Sequence, residues 1–274
     1  MTTAAAREDS FTIDPEIIAA VEARAAAIAR GASANMHLRA LLALGSVPIA
    51  LAALARDVYG QAPSDVVDAL QFALLLEYLE SDFYQRATAV TGLVPTTDAT
   101  VIATIAAHEA AHVTALQALI GARGATARAR PAFDFTAKGA FAGFTFAASQ
   151  YATFTLLAQA FEDLGVRAYT GQVGRVVNDK HALNALLSVH SVEARHASAI
   201  RRLRGRKGWI TGNSRDDLPA ALQPVYDGED VIVQAGAAIV DLAASFGGTD
   251  AATAAFDEPL TMAQVTAIIT PFLA

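Results

Sequence analysis

A carboxylate and an imidazole three residues apart on a helix can share one metal ion, and the chain contains that pairing twice, as Glu109-x-x-His112 and Glu193-x-x-His196. Three residues turn an α-helix by about 300° and advance it by roughly 4.5 Å, so both side chains of a pair leave nearly the same face. A lone glutamate precedes each pair, Glu77 before Glu109 by 32 positions and Glu162 before Glu193 by 31. Each lone glutamate is followed seven residues later by a tyrosine, Tyr84 or Tyr169. Seven residues are almost two turns, which places each Glu and its Tyr on one face about 10 Å apart. A single Glu-x-x-His is a weak signal. Two of them in matching frames are a strong one.

The elements that must position these residues read as four long apolar helices with sparse charges. Ser64 caps the first, which runs through Leu70 to Tyr84 and ends near Thr91-Gly92. The second, Val101 to Leu119, takes Thr96 or Thr97 as its cap and stops at Gly121. A loop with Gly124, Pro131 and Gly139 then continues to about Phe144, long enough to cross the length of a bundle. The third helix spans roughly Ser149 to Tyr169, and the fourth begins near Asp179.

Closing such a bundle buries Glu77, Glu109, Glu162 and Glu193 together, and each uncompensated carboxylate would cost several kcal/mol. Arg86, Arg167 and Arg195 are too few and too peripheral to neutralise four acids. Two divalent cations would. Oxygen and imidazole ligands without thiolate suit iron or manganese and leave zinc as an option. Two helices that each give one Glu, with two more that each give a Glu-x-x-His, make the dinuclear carboxylate arrangement of four-helix bundles.

With Leu76-Glu77-Tyr78-Leu79-Glu80, Ala107-His108-Glu109-Ala110-Ala111-His112, Phe161-Glu162-Asp163-Leu164-Gly165-Val166, Ser188 to His196 and Ala255 to Leu260, the chain resembles the ferritin-like superfamily from about Ser64 onward. More narrowly, it looks like the bacterial and fungal ferritin-like domain proteins related to desiccation-associated and sexual-development proteins. The resemblance implies Glu77 and Glu162 as terminal ligands of two ions, Glu109 and Glu193 as bridges, and His112 and His196 as the remaining ligands. It also implies that Tyr84 and Tyr169 bond to ligand carboxylates across the bundle. The expected fold is therefore all-α: a ferritin-like four-helix bundle over residues 61–207, with a helical extension at 1–60 and a helical strap at 208–274. The expected chemistry is that of a di-iron or di-manganese oxidoreductase reacting with O2 or peroxide. A structural or stress-protective assembly protein, with the metal pair as a staple, is the alternative.

Glu80, one turn beyond Glu77, is either an exchangeable extra carboxylate or proton carrier, or a partly solvated group at the bundle mouth. Asp163 reads as an outer partner of the ligands or a surface group, and His108 and His190 either as groups bonding to the ligands from outside or as mere polar neighbours of a buried site. His37 and His181 read as surface or capping residues, and Trp209 as a packing anchor for the tail.

The 274 residues, 54% hydrophobic and 17% charged with nine prolines, favour one main helical core. A formal charge of −7 provides no general attraction to nucleic acid, and the basic run Arg201 to Lys207 reads as a helix end rather than a phosphate or lipid site. The absence of cysteine excludes thiolate ligands and disulfides. The apolar run Leu38 to Ala55 is interrupted by Gly45-Ser46 and Pro48 and falls short of the roughly 20 residues of a spanning helix. It reads as a retained hydrophobic helix pair packing on the main domain or another subunit, with membrane association as the alternative. A cytoplasmic homo-oligomer is expected, with an exported or membrane-associated protein as the alternative. In the tail, Val231 to Phe246 reads as an apolar helix and Thr261 to Phe272 as a short amphipathic one.

Overall fold

The computed structural model describes residues 64–234, 237–240 and 247–274. The expected extension at 1–60 and the apolar run Leu38 to Ala55 lie outside the described residues.

Four helices carry the chemistry: α1 (Ser64–Ala89), α2 (Ala99–Gly121), α3 (Tyr151–Val176) and α4 (Lys180–Leu203). α1 packs on α2 and α3 on α4, and the two pairs meet through α1 against α3 and α2 against α4. The central helix is α1, with Leu70, Phe72, Leu74, Leu75, Leu76, Leu79 and Phe83 buried on nearly all its sides. In α4 the buried positions Ala182, Leu186, Val189, Glu193, His196 and Ile200 recur at intervals of three and four, a single stripe facing inward. The Glu and His sit in the middle of that apolar stripe, which is why they are taken into the core. α2 does the same with Ile102, Ile105, Glu109, His112, Leu116 and Leu119. Among the described residues, α2 is the one helix long and apolar enough to cross a membrane by length and composition. Its apolar stripe belongs to the bundle interior.

Helix ends are fixed by side chains. Asp179 caps α4 by accepting from the backbone N–H groups of His181 at 3.1 Å and Ala182 at 2.9 Å. The same carboxylate takes two bonds from the buried Arg123, Nε at 2.9 Å and Nη2 at 2.6 Å, tying the end of α2 to the start of α4. The N-cap of α2 is Asp98, not Thr96 or Thr97, and it makes no side-chain cap bond. Its carboxylate instead accepts from Tyr151 Oη at 2.6 Å, which pins the start of α3 beside that of α2.

The crossover between α2 and α3 is longer than a strap needs to be, because it carries a plug of aromatic rings. Phe135, Phe144 and Phe146 lie 5.1, 6.3 and 5.4 Å from Phe83, ring centre to ring centre, and Phe154 and Phe161 of α3 complete the shell at 5.0 Å each. The plug closes around the residue next to Tyr84.

α3 continues to Val176, seven residues beyond the end expected at Tyr169. Gly171, which argues against helix by propensity, is there because the tail crosses it. A Cβ at Gly171 would lie 2.0 Å from the Leu260 carbonyl oxygen, and Leu260 N–H donates to Arg167 O at 3.1 Å. Gly171→Ala should therefore displace the tail and destabilise the protein by about 1–3 kcal/mol, read by chemical denaturation.

The tail also contains α5 (Gly248–Thr253) and α6 (Met262–Ile269), the latter opened by a capping box of Thr261 and Gln264. The helix expected over Val231 to Phe246 is corrected at its start. Val233–Gln234 (β1) instead pairs antiparallel with Ala237–Ala238 (β2). The β-branched run Val231-Ile232-Val233 favours extended backbone, which an apolar reading alone overlooks. Residues 235, 236 and 241–246 of that expected helix lie outside the described ones.

Candidate metal centre

The apolar stripes of four helices bring Glu77, Glu109, Glu162 and Glu193 together with no solvent exposure, and His112 and His196 with 8% and 4%. Two tyrosines cross from one pair of helices to the other. Tyr84 Oη of α1 donates to Glu162 Oε1 of α3 at 2.5 Å, and Tyr169 Oη of α3 donates to Glu77 Oε1 of α1. These cross-links run in opposite order along the two helices, so α1 and α3 are antiparallel and related by a local two-fold.

The imidazoles obey the same two-fold. His112 Nδ1 faces Glu77 Oε2 at 3.2 Å, Glu109 Oε2 at 3.3 Å and Glu193 Oε1 at 3.0 Å. His196 Nδ1 faces Glu109 Oε1 at 2.8 Å, Glu162 Oε2 at 3.5 Å and Glu193 Oε2 at 3.9 Å. Two overlapping groups result, Glu77, Glu109, His112, Glu193 and Glu109, Glu162, Glu193, His196, each with one donor atom per residue within 4.8 Å of the others. Glu109 and Glu193 belong to both.

The close approaches are not all hydrogen bonds. His196 Nδ1 and Glu109 Oε1 are 2.8 Å apart but lack hydrogen-bond alignment, and Glu162 Oε2 and both Glu193 oxygens are buried without a hydrogen-bond partner. Buried acceptors left this way are costly. Lone pairs that converge on a common point without bonding to one another fit a cation, and this donor set of carboxylate oxygens and imidazole nitrogens can hold a metal ion. The nearby arginines do not compensate it: Arg86 pairs with Asp82 at 2.7 Å, and Arg167 with Glu229 at 2.5 Å.

Burial dominates the electrostatics. It raises the Glu77 carboxyl from the ordinary range to about 7 despite the opposing pull of His112. Burial and then the neighbouring carboxylates push Glu193 and Glu80 well above that range. Glu109 is the exception: burial pushes it up, but His112 and His196 together hold it below the ordinary range. Burial alone would lower both histidines, yet the facing carboxylates raise them. Burial and the carboxylate that each one bonds raise Tyr84 and Tyr169, so both stay protonated donors.

Around this cluster the expectations divide. His108 does reach it, Nδ1 at 2.9 Å from His196 Nε2 with the rings stacked at 5.2 Å. His108 Nδ1 and His196 Nε2 are thus close enough to share one proton on the side of the ring away from the carboxylates. His190 does not reach it and bonds Thr170 Oγ1 at 3.0 Å. Glu80 is 2% exposed, so the solvated alternative is excluded. Asp163 is buried but points away, accepting from Arg201 Nη2 at 2.8 Å and Tyr226 Oη at 2.7 Å. Three of the basic run pair within the chain, Arg201 also with Asp216 at 3.1 Å, and Arg204 and Arg206 with Asp217 at 2.8 and 2.7 Å, while Arg202 and Lys207 are exposed. Trp209 is 49% exposed and contributes its carbonyl to Arg201 rather than a buried anchor.

The ferritin-like domain family model matches residues 65–206, just over half of the chain, from the first turn of α1 to just past α4. The chain belongs to the ferritin-like domain family. No curated protein matches it. The matched span of this ferritin-like protein contains both Glu/His groups and both tyrosine cross-links, so the family assignment and the geometry concern the same residues.

Each cross-link fixes one carboxylate oxygen and leaves the other directed at an imidazole. Tyr169→Phe should weaken metal binding at the Glu77 group, and Tyr84→Phe at the Glu162 group, each by roughly 10–100-fold. Calorimetric titration of the metal-free variants checks this.

Proposed function

We propose that this ferritin-like protein is a dinuclear oxidoreductase, holding two iron or two manganese ions and taking O2 or peroxide as its small oxidant. The observation that carries the reading is the pair of overlapping donor groups that share Glu109 and Glu193. Iron or manganese bound there would supply electron transfer that no side chain in the cluster provides. Glu109 and Glu193 reach both positions and would fix their separation. Glu77 and Glu162, each steered by a tyrosine, would bind one position apiece. His112 and His196 present neutral nitrogens once a cation displaces their protons, and His108 keeps the His196 proton on the outer nitrogen. Tyr84 and Tyr169, held protonated, orient carboxylates and can hold a proton at the edge of the cluster.

The test is anaerobic loading with Fe(II) or Mn(II), followed by O2 or peroxide, with oxidant consumption measured directly. Turnover that disappears in Glu109→Ala combined with His196→Ala, in a protein that still folds, is the expected result. Two ions bound with no turnover would favour the structural-staple reading. Unchanged turnover in the double variant would sink the catalytic role of this cluster.

A further inference from the structure

The local two-fold is broken among the buried carboxylates. Glu77 and Glu162 are 85 residues apart, as are Tyr84 and Tyr169, while Glu109 and Glu193, like His112 and His196, are 84 apart. The same 85-residue step carries Glu80 onto Gly165. The counterpart of the fifth carboxylate is thus a residue with no side chain, and the two face each other midway between the tyrosine cross-links. A Cβ on Gly165 would lie 3.1 Å from Glu80 Oε1 and 3.3 Å from Glu193 Oε2. Glu80 therefore occupies the space in which its own counterpart would stand, against a residue common to both donor groups. It is 2% exposed, and its Oε2 is buried without a hydrogen-bond partner.

We propose that Glu80 is a seventh ligand of the metal pair, seated in the space left by Gly165, and that it makes the two ion positions unequal so that they fill in sequence. This rests on the two-ion reading given above. Six two-fold-related residues would offer two equal positions, and one unmatched carboxylate cannot serve both alike. A side chain at position 165 would remove the room without removing the acid, so the glycine is as much a part of the device as the glutamate.

The experiment is calorimetric titration of Mn(II) into the metal-free full-length protein, with thermal melting of the same metal-free samples. The wild type should bind two ions in two resolved steps. Glu80→Gln should weaken the tighter step by at least about 100-fold, beyond the roughly 10–100-fold range of a group that only orients a ligand. Gly165→Ala should do the same while the acid remains, and Glu80→Gln should not lower the metal-free melting temperature. A smaller loss in Glu80→Gln overturns the seventh ligand. So does inequality that survives Glu80→Gln but vanishes in His108→Val, because Val192 is the two-fold counterpart of His108. A wild type that binds fewer than two ions overturns the two-ion reading itself, whereas two equal steps overturn only the role of Glu80.

Discussion

Glu193→Gln should abolish binding of both ions while leaving the metal-free protein as stable as the wild type or more so. Glu193 contributes to both donor groups, whereas Glu77→Gln leaves the Glu109, Glu162, Glu193, His196 group intact and should cost one ion of the two. Without a cation, burial and the other carboxylates already favour a protonated Glu193. A neutral amide of the same shape then stands in for the neutral acid that the metal-free fold already holds, and no buried charge is lost. With free metal about 1,000-fold above Kd, each site contributes roughly 4 kcal/mol to the folded state. For a chain of this size, two such sites raise Tm by on the order of 20 °C. Calorimetry with and without Mn(II) should show that rise in the wild type, about half of it in Glu77→Gln and none in Glu193→Gln. A metal-dependent rise that persists in Glu193→Gln would contradict the bridging position.

The stabilisation by metal should also grow with pH. Glu77 has its carboxyl raised from 4.5 to about 7, and Glu80, Glu193, His112 and His196 are all raised too. A raised group holds a proton in the folded state that the unfolded chain has released. Its contribution is complete below the unfolded pKa and is lost as pH climbs through the folded one. For Glu77 that window runs from 4.5 to about 7, so the metal-free protein weakens across it. Glu109 has the opposite sign, since a depressed carboxyl loses its contribution only on acidification below the ordinary range. Bound cations displace the protons and cancel the loss, so the gap between loaded and metal-free protein should widen by about 1.4 kcal/mol per pH unit for each proton displaced. Melting temperatures with and without Mn(II) at three pH values between 5.5 and 7.5 check it, and a constant gap would count against a metal that replaces these protons.

The core of the site is legible in the sequence because its ligands lie on apolar stripes. Glu193 and His196 fall between Val189 and Ile200 at the spacing that any buried helix face shows, and the matching frames of Glu77/Tyr84 and Glu162/Tyr169 carry the two-fold in the sequence itself. What escapes is decided between distant segments. Glu80 is buried rather than solvated because Gly165, on another helix, makes room for it. Asp163 and Glu162 are adjacent in sequence, but one step along a helix turns the side chain by about 100°, enough to send Asp163 to Arg201 instead of the cluster. Asp98 gives up capping to bind Tyr151, and Gly171 continues a helix that its type disfavours because Leu260 crosses it. Local propensity contains none of these partners. The aromatic plug is present in the sequence as the phenylalanines 135, 144 and 146, yet only the folded crossover reveals that they converge on Phe83.

The central claim is that Glu77, Glu109, His112, Glu162, Glu193 and His196 together hold two ions. Anomalous diffraction at the manganese and iron edges, from crystals of metal-supplemented protein, tests it most directly. The account predicts two peaks about 3.5–4 Å apart, both within ligand distance of Glu109 and Glu193. No peak between α1 and α4 after supplementation, or a peak only at the protein surface, would contradict it.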